Sequence, residues 1–178
     1  MVRTDSGTEK IENLLQRNCD HDWINGSDGI KIESSFQRGD ENKGIWDSIF
    51  KETYIDSLQK GYPCGIITLV KDLKSSNQEG WKVLDGGNRM RTIRDYYQDK
   101  FIDLEGVKFS QLNETKKANF KTILIPVQKI TIERHDDDNT ISNMFIRLNT
   151  KTEPLTQGEL FKAHGHRSDV IEIEIAKK

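Results

Sequence analysis

Residues 83–93 read VLDGGNRMRTI, and within them Asp85-Gly86-Gly87-Asn88-Arg89 put a carboxylate, two glycines, an amide and a guanidinium side by side. They stand where a short apolar run gives way to helical spacing. Glycines let backbone N–H groups approach an anion closely. The first turn of a following helix adds donors and the positive end of its dipole. Arg89 can grip phosphate oxygens with a planar fork, and Asp85 could hold Mg²⁺, which takes one or two carboxylates together with substrate phosphate oxygens. That inventory suits a nucleoside triphosphate or a phosphodiester. The spacings GxxxxGK[ST] and GxGxxG are absent, so this is neither a Walker loop nor a dinucleotide fingerprint. The plainer alternative is a strand, a glycine turn, a helix capped by Asn88, and Arg89 in solvent.

Other groupings carry less chemistry. His164-Gly165-His166 offers two imidazoles without a carboxylate or cysteine at a diagnostic spacing. His135-Asp136-Asp137-Asp138-Asn139 is acidic but lacks the glycine and final glutamate of a calcium loop. Both read as solvated turns. Arg89, Arg91 and Arg94, with Lys100 beyond, could line a phosphate backbone, but helical geometry does not put the three arginines on one face, and a solvated helix surface is the expectation.

The elements that must position these residues follow from periodicity. Ile11, Leu14 and Leu15 share a helical face in TEKIENLLQR (8–17). Residues 18–29 are rich in turn formers, and Ile30 and Ile32 suggest a short strand. Residues 35–44 read as a polar loop. Trp46, Ile49, Phe50, Tyr54 and Leu58 predict a helix stopped by Gly61 and Pro63. GIITLV (65–70) and WKVL (81–84) read as strands, and 88–98 as a helix with Met90, Ile93 and Tyr97 inward. KTILIPVQKITIE (121–133) is β-like, with Pro126 arguing against an unbroken central strand. Ile141, Met144, Phe145 and Leu148 mark an amphipathic helix. Thr156 and Glu159 form a capping box flanked by Leu155 and Leu160. The tail SDVIEIEIAKK fits a strand or a capped helix. Helices and strands mix irregularly, which predicts an α+β fold.

The 178 residues suit one domain with its own core. With 34% apolar and 31% charged residues the chain is polar but able to fold. A net charge of −2 does not mark a general polyanion binder, so any nucleic-acid contact needs a local basic patch. Cys19 and Cys64 form no CxxC, which disfavours a disulfide framework and suggests a reducing compartment. No apolar run is long enough to span a bilayer and the start does not read as a signal peptide, so a cytoplasmic protein without membrane contact is expected.

Four segments in order add a resemblance: FQRG (36–39), GYPCGIITLV (61–70), VLDGGNRMRTI (83–93) and MFIRLNTKTEPLTQGEL (144–160). Their order and spacing resemble the N-terminal domain of GmrSD-type restriction enzymes, within the wider ParB/sulfiredoxin-like superfamily. That pattern has an early Gln-Arg, a "GyPiG" strand start, a "DGQQRlttl" motif and a late "FxRlNtggxpLsxqEl". The match covers roughly residues 30–165 of a single domain, which stands alone or as a piece of a longer protein.

The resemblance implies a small ParB-like mixed sheet with surrounding helices. It also implies binding and hydrolysis of nucleoside triphosphates that regulate DNA restriction, an Mg-dependent NTPase role in phage defence. Asp85, Gly86, Gly87 and Arg89 would form the phosphate and Mg²⁺ site. Gln37 and Arg38 would join from the early loop, and Arg147 and Asn149 from the late motif. DNA and a nuclease domain or subunit are the implied partners. The family's paired glutamines are Gly87 and Asn88 here, so Asn88 is a shorter substitute for a glutamine that would position attacking water. Lys151 and Thr152 replace the glycines of "Ntgg", and nothing in the chain looks like an HNH nuclease. A non-catalytic nucleic-acid- or partner-binding module is the alternative, and direct phosphodiester cleavage a third reading.

Overall fold

The computed structural model describes residues 2–19, 28–32, 46–73, 80–133 and 140–149. The predictions for the 35–44 loop, HDDDN, the 155–160 helix, the HGH triplet and the tail fall outside them. The described strands form a mixed six-stranded sheet in the order β1-β6-β4-β5-β3-β2, an α+β architecture. They are β1 (Val2–Lys10), β2 (Asn18–Cys19), β3 (Ile30–Lys31), β4 (Ile67–Asp72), β5 (Trp81–Asp85) and β6 (Leu124–Ile132). The helices are α1 (Ile11–Arg17), α2 (Ser48–Gln59), α3 (Gly87–Tyr97), α4 (Glu114–Thr122) and α5 (Thr140–Asn149). Among the described residues no helix is long and apolar enough to cross a membrane.

Both faces of the sheet are covered. Ile67 and Leu69 of β4, Val83 of β5 and Val127 of β6 share one core with Leu14 of α1, Leu58 of α2, Met90 of α3 and Phe120 of α4. Val70, Leu84, Ile130 and Ile132 point the other way and bury Phe145 of α5. This two-sided burial explains why GIITLV is continuously apolar: a strand covered on both faces shows no alternation.

Two helices bury a different stripe from the one expected. In α2, Tyr54, Ile55 and Leu58 are buried, while Ile49 and Phe50 are 68% and 64% exposed in its first turn. Helical spacing says that residues share a face, but not how far the core extends beneath it. In α3, Tyr96 is buried in place of Tyr97, because its ring enters a cluster with Phe101, Phe109 and Phe120 and its hydroxyl donates to Asp103 at 2.9 Å. That bond and burial push the Tyr96 phenol up. Asp47 caps α2 by accepting from the Phe50 N–H at 2.9 Å. At the other end Gly61 N–H reaches Leu58 O and Tyr62 N–H reaches Ser57 O, a Schellman stop with Gly61 at φ +71°.

β6 corrects the expectation about Pro126. The strand runs unbroken through it and lies inside the sheet, between β1 and β4. Pro126 pairs with Thr8 of β1, whereas the β4 ladder starts one residue later, at Ile67 opposite Val127. On that side no ladder bond is lost by the missing N–H. β1 itself has no apolar periodicity; it is an exposed edge strand held by β6.

The β1–β6 edge is tied to α1 by Glu9, which accepts from Arg17 at 2.7 Å and from Lys129 at 2.6 Å. Burial alone would raise the Glu9 carboxyl, but the Lys129 and Arg17 contacts outweigh it and hold the group below the usual glutamate range. A depressed folded value stabilises above the ordinary glutamate value, and the contribution is lost as pH falls through the folded value. Glu9→Gln should therefore cost about 2 kcal/mol at neutral pH by leaving two desolvated cations underpaired. Urea unfolding at neutral and acidic pH checks this: the gap to wild type should close in acid, and a constant gap would refute the ion-pair account.

Candidate functional site

β4 and β5 are antiparallel, and Thr68 pairs with Asp85. That register sets the start of β4 beside the end of β5. Gly65 and Ile66, which lead into β4, thus lie against the DGGNR turn, although Ile66 and Arg89 are 23 positions apart in the chain. The β4–β5 register also shifts between Thr68 and Leu69, an irregularity next to the turn.

One residue, Gly86, links β5 to α3. It is the N-cap of α3, at φ +90° and ψ 15°. This replaces Asn88 as the expected cap: Asn88 is the second residue of the helix, and a glycine has no side chain with which to cap. A Cβ on Gly86 would stand 3.1 Å from the Ile67 Cα and 3.3 Å from the Arg89 Nη1, so only glycine fits between the two strands and the guanidinium.

Arg89 does not lie in solvent. Its Nη1 donates to the Ile66 carbonyl at 2.9 Å and lies 3.5 Å from the Asp85 Oδ2. Its guanidinium also rests on Gly65, where a Cβ would fall 2.8 Å from Nε and 2.9 Å from Cζ. Gly65 has φ +74°. Two glycines with positive φ thus bracket one guanidinium. Its Asp85 neighbour is half-exposed, and the Arg89 side chain is 27% exposed. Tyr54 of α2 and Cys64 are near enough for the Arg89 charge to act on both. Burial pushes the Tyr54 phenol up, Cys64 adds to this and the Arg89 cation opposes it. Burial likewise pushes the Cys64 thiol up, with its own backbone contact and Arg89 opposing.

The structure brings Asp85, Gly86, Gly87, Asn88 and Arg89 together at the β5–α3 junction. Arg147 is exposed on α5, which Asn149 ends, and α5 packs on the opposite sheet face from α3. Gln37 and Arg38 lie outside the described residues. Sequence reasoning assigned no role to Gly65, the Ile66 carbonyl, Tyr54 or Cys64. The closing glycine of GYPCG was the available signal, since a glycine directly before a buried strand marks a close approach or a special φ.

The remaining cations of α3 form no basic edge. Arg91 is 2% exposed, so it is part of the interior and not of a solvated surface. Arg94 and Lys100 both pair with Asp95, each at 3.1 Å. Among the described residues there is no group of three or more His, Cys, Asp or Glu side chains that could hold a metal. Asp85 is a lone, half-exposed carboxylate beside a guanidinium. Such a donor set fits an Mg²⁺ ion that arrives on phosphate oxygens and retains most of its waters.

The family model for the N-terminal domain of the GmrSD restriction endonuclease matches residues 21–165. No curated protein and no solved structure matches the chain. The match covers well over half of the sequence and includes α2, the β4 and β5 strands, the Asp85–Arg89 turn and α5. The chain belongs to the family of GmrSD restriction endonuclease N-terminal domains, and with that family comes a role related to DNA restriction.

Proposed function

We propose that this domain binds a magnesium nucleoside triphosphate and hydrolyses it, and that this regulates restriction of DNA by a nuclease domain or subunit. The observation that carries the reading is the placement of Arg89. Its guanidinium is held at the first turn of α3 by the Ile66 carbonyl and Gly65, beside the Asp85 carboxylate. Phosphoryl transfer needs positioning and neutralisation of charge more than covalent chemistry. Arg89 and the backbone amides at Gly86-Gly87 would hold the phosphate oxygens, where such donors act preorganised and partly out of water. Asp85 would hold Mg²⁺, which neutralises charge developing on the phosphates. Asn88 would orient the attacking water, and Gln37 and Arg38 would add phosphate contacts, whereas Arg147 and Asn149 sit on α5 across the sheet and are given no contact.

A non-catalytic nucleic-acid-binding module ranks second, because Arg94 and Lys100 are already engaged by Asp95 and Arg91 is buried. Direct phosphodiester cleavage ranks third, because among the described residues no cluster of metal-binding side chains accompanies Asp85.

Thermal unfolding with Mg²⁺ and each of ATP, GTP, CTP and UTP tests the reading. A ligand at ~100 times its dissociation constant stabilises by about 2.7 kcal/mol, a shift of several degrees. The shift should appear with at least one nucleotide and vanish in Arg89→Ala. Phosphate release should be lost in Asp85→Ala with the fold retained. A wild-type protein unmoved by all four nucleotides would remove the proposal.

A further inference from the structure

The Tyr54 hydroxyl, like that of Thr92 on α3, is a buried polar group near the site without a partner among the described residues. Tyr54 is 8% exposed, and its hydroxyl oxygen is buried without a hydrogen-bond partner among the described residues. A phenol that both donates and accepts is rarely left so, because a buried hydroxyl without a partner costs free energy. The ring is fixed at one end by Trp46, in an edge-to-face contact with centroids 5.2 Å apart. Tyr54 lies in the core cluster against which Cys64 packs, and the charges of Cys64 and Arg89 both act on its phenol. Burial keeps that phenol protonated, so at neutral pH it is a donor.

Arg89 is lightly held. Arg89 is held by one neutral carbonyl at 2.9 Å and a carboxylate at 3.5 Å, both weaker partners than a polyphosphate. We propose that the Tyr54 hydroxyl donates a hydrogen bond to a phosphoryl oxygen of the polyphosphate that Arg89 grips. This rests on the nucleotide reading above and adds a specific contact from α2. When Arg89 turns from the Ile66 carbonyl toward the ligand while still resting on Gly65, an anionic oxygen comes within reach of the phenol, and the orphaned donor gains its partner.

Tyr54→Phe removes only the hydroxyl. The free protein should unfold at the same temperature as wild type or a little higher, since an unsatisfied group has been deleted. Binding of the magnesium nucleoside triphosphate that stabilises wild type should weaken about ten-fold or more, the effect of losing a hydrogen bond to a charged group. Inorganic tripolyphosphate with Mg²⁺ should weaken equally, because the contact is to phosphate. Calorimetric titration of wild type, Tyr54→Phe and Arg89→Ala with both ligands decides the matter. Equal affinity of wild type and Tyr54→Phe, with Arg89→Ala impaired, would overturn the Tyr54 contact and leave the nucleotide reading standing. A loss for the nucleotide but not for tripolyphosphate would place the hydroxyl on base or sugar and overturn the contact as stated. A marked fall in stability of free Tyr54→Phe would show that the hydroxyl has an internal partner, which also overturns it. No binding of any ligand by wild type would remove both proposals.

Discussion

Gly65→Ala should cost the protein its nucleotide-dependent stabilisation while leaving it folded. The new methyl carbon would lie 2.8 Å from the Arg89 Nε and 2.9 Å from Cζ, closer than real carbon contacts allow. What it meets is the far end of a flexible side chain, so Arg89 moves and the backbone need not. The guanidinium then loses both its resting place and its aim. Binding should weaken about ten-fold or more, the scale of a lost charge-assisted hydrogen bond. The substitution also strains a residue at φ +74° by about 1 kcal/mol. Gly61→Ala separates the two effects, because Gly61 has φ +71° and nothing within 4 Å of the place a Cβ would take. Both variants should show the same modest fall in unfolding temperature, and only Gly65→Ala should lose the nucleotide shift. Equal nucleotide shifts in the two variants would mean that the position of Arg89 does not matter.

Gly86→Ala should act on the scaffold as well as on the site. Here the Cβ meets backbone, the Ile67 Cα at 3.1 Å, as well as the Arg89 Nη1 at 3.3 Å. β4 can yield only by disturbing its ladders to β5 and β6, both of which carry core residues. A left-handed residue costs about 1–2 kcal/mol and overpacking about 1–3 kcal/mol, so a loss of about 3 kcal/mol is expected. For a chain of this size that lowers the unfolding midpoint by about 6–12 °C. Thermal and urea unfolding of the free protein measure it. A midpoint within about a degree of wild type would show that the turn has room that its geometry denies.

Gly65 and Gly86 make the same request of the chain, a positive φ and no side chain, yet only Gly86 was legible beforehand. Gly86 stands inside a group of reactive residue types, directly between a strand and a helix. Gly65 stands in a stretch with no chemistry of its own. Its significance arises from the antiparallel register of β4 and β5, a long-range pairing that no local spacing encodes. The same holds for Tyr54. Its place on a helical face followed from the spacing of Trp46, Tyr54 and Leu58, but that its hydroxyl would be buried without a partner among the described residues follows from the packing of α2 on α3.

By itself the sequence determined the α+β class, β4, β5 and the three longest helices within a few residues, and the family; it also singled out the DGGNR turn as the candidate site. These depend on local signals: apolar period, glycine punctuation and residue types in a fixed order. Only the tertiary structure decided which stripes of α2 and α3 are buried, that β6 passes through Pro126 inside the sheet, and that Arg91 is interior while Arg94 and Lys100 share Asp95. It alone set Arg89 between Gly65 and Asp85 and left the Tyr54 hydroxyl buried without a partner among the described residues. The reason is physical: periodicity says which residues can face the same way, but the partner they face, and the polar groups trapped between them, are set by contacts between segments distant in the chain.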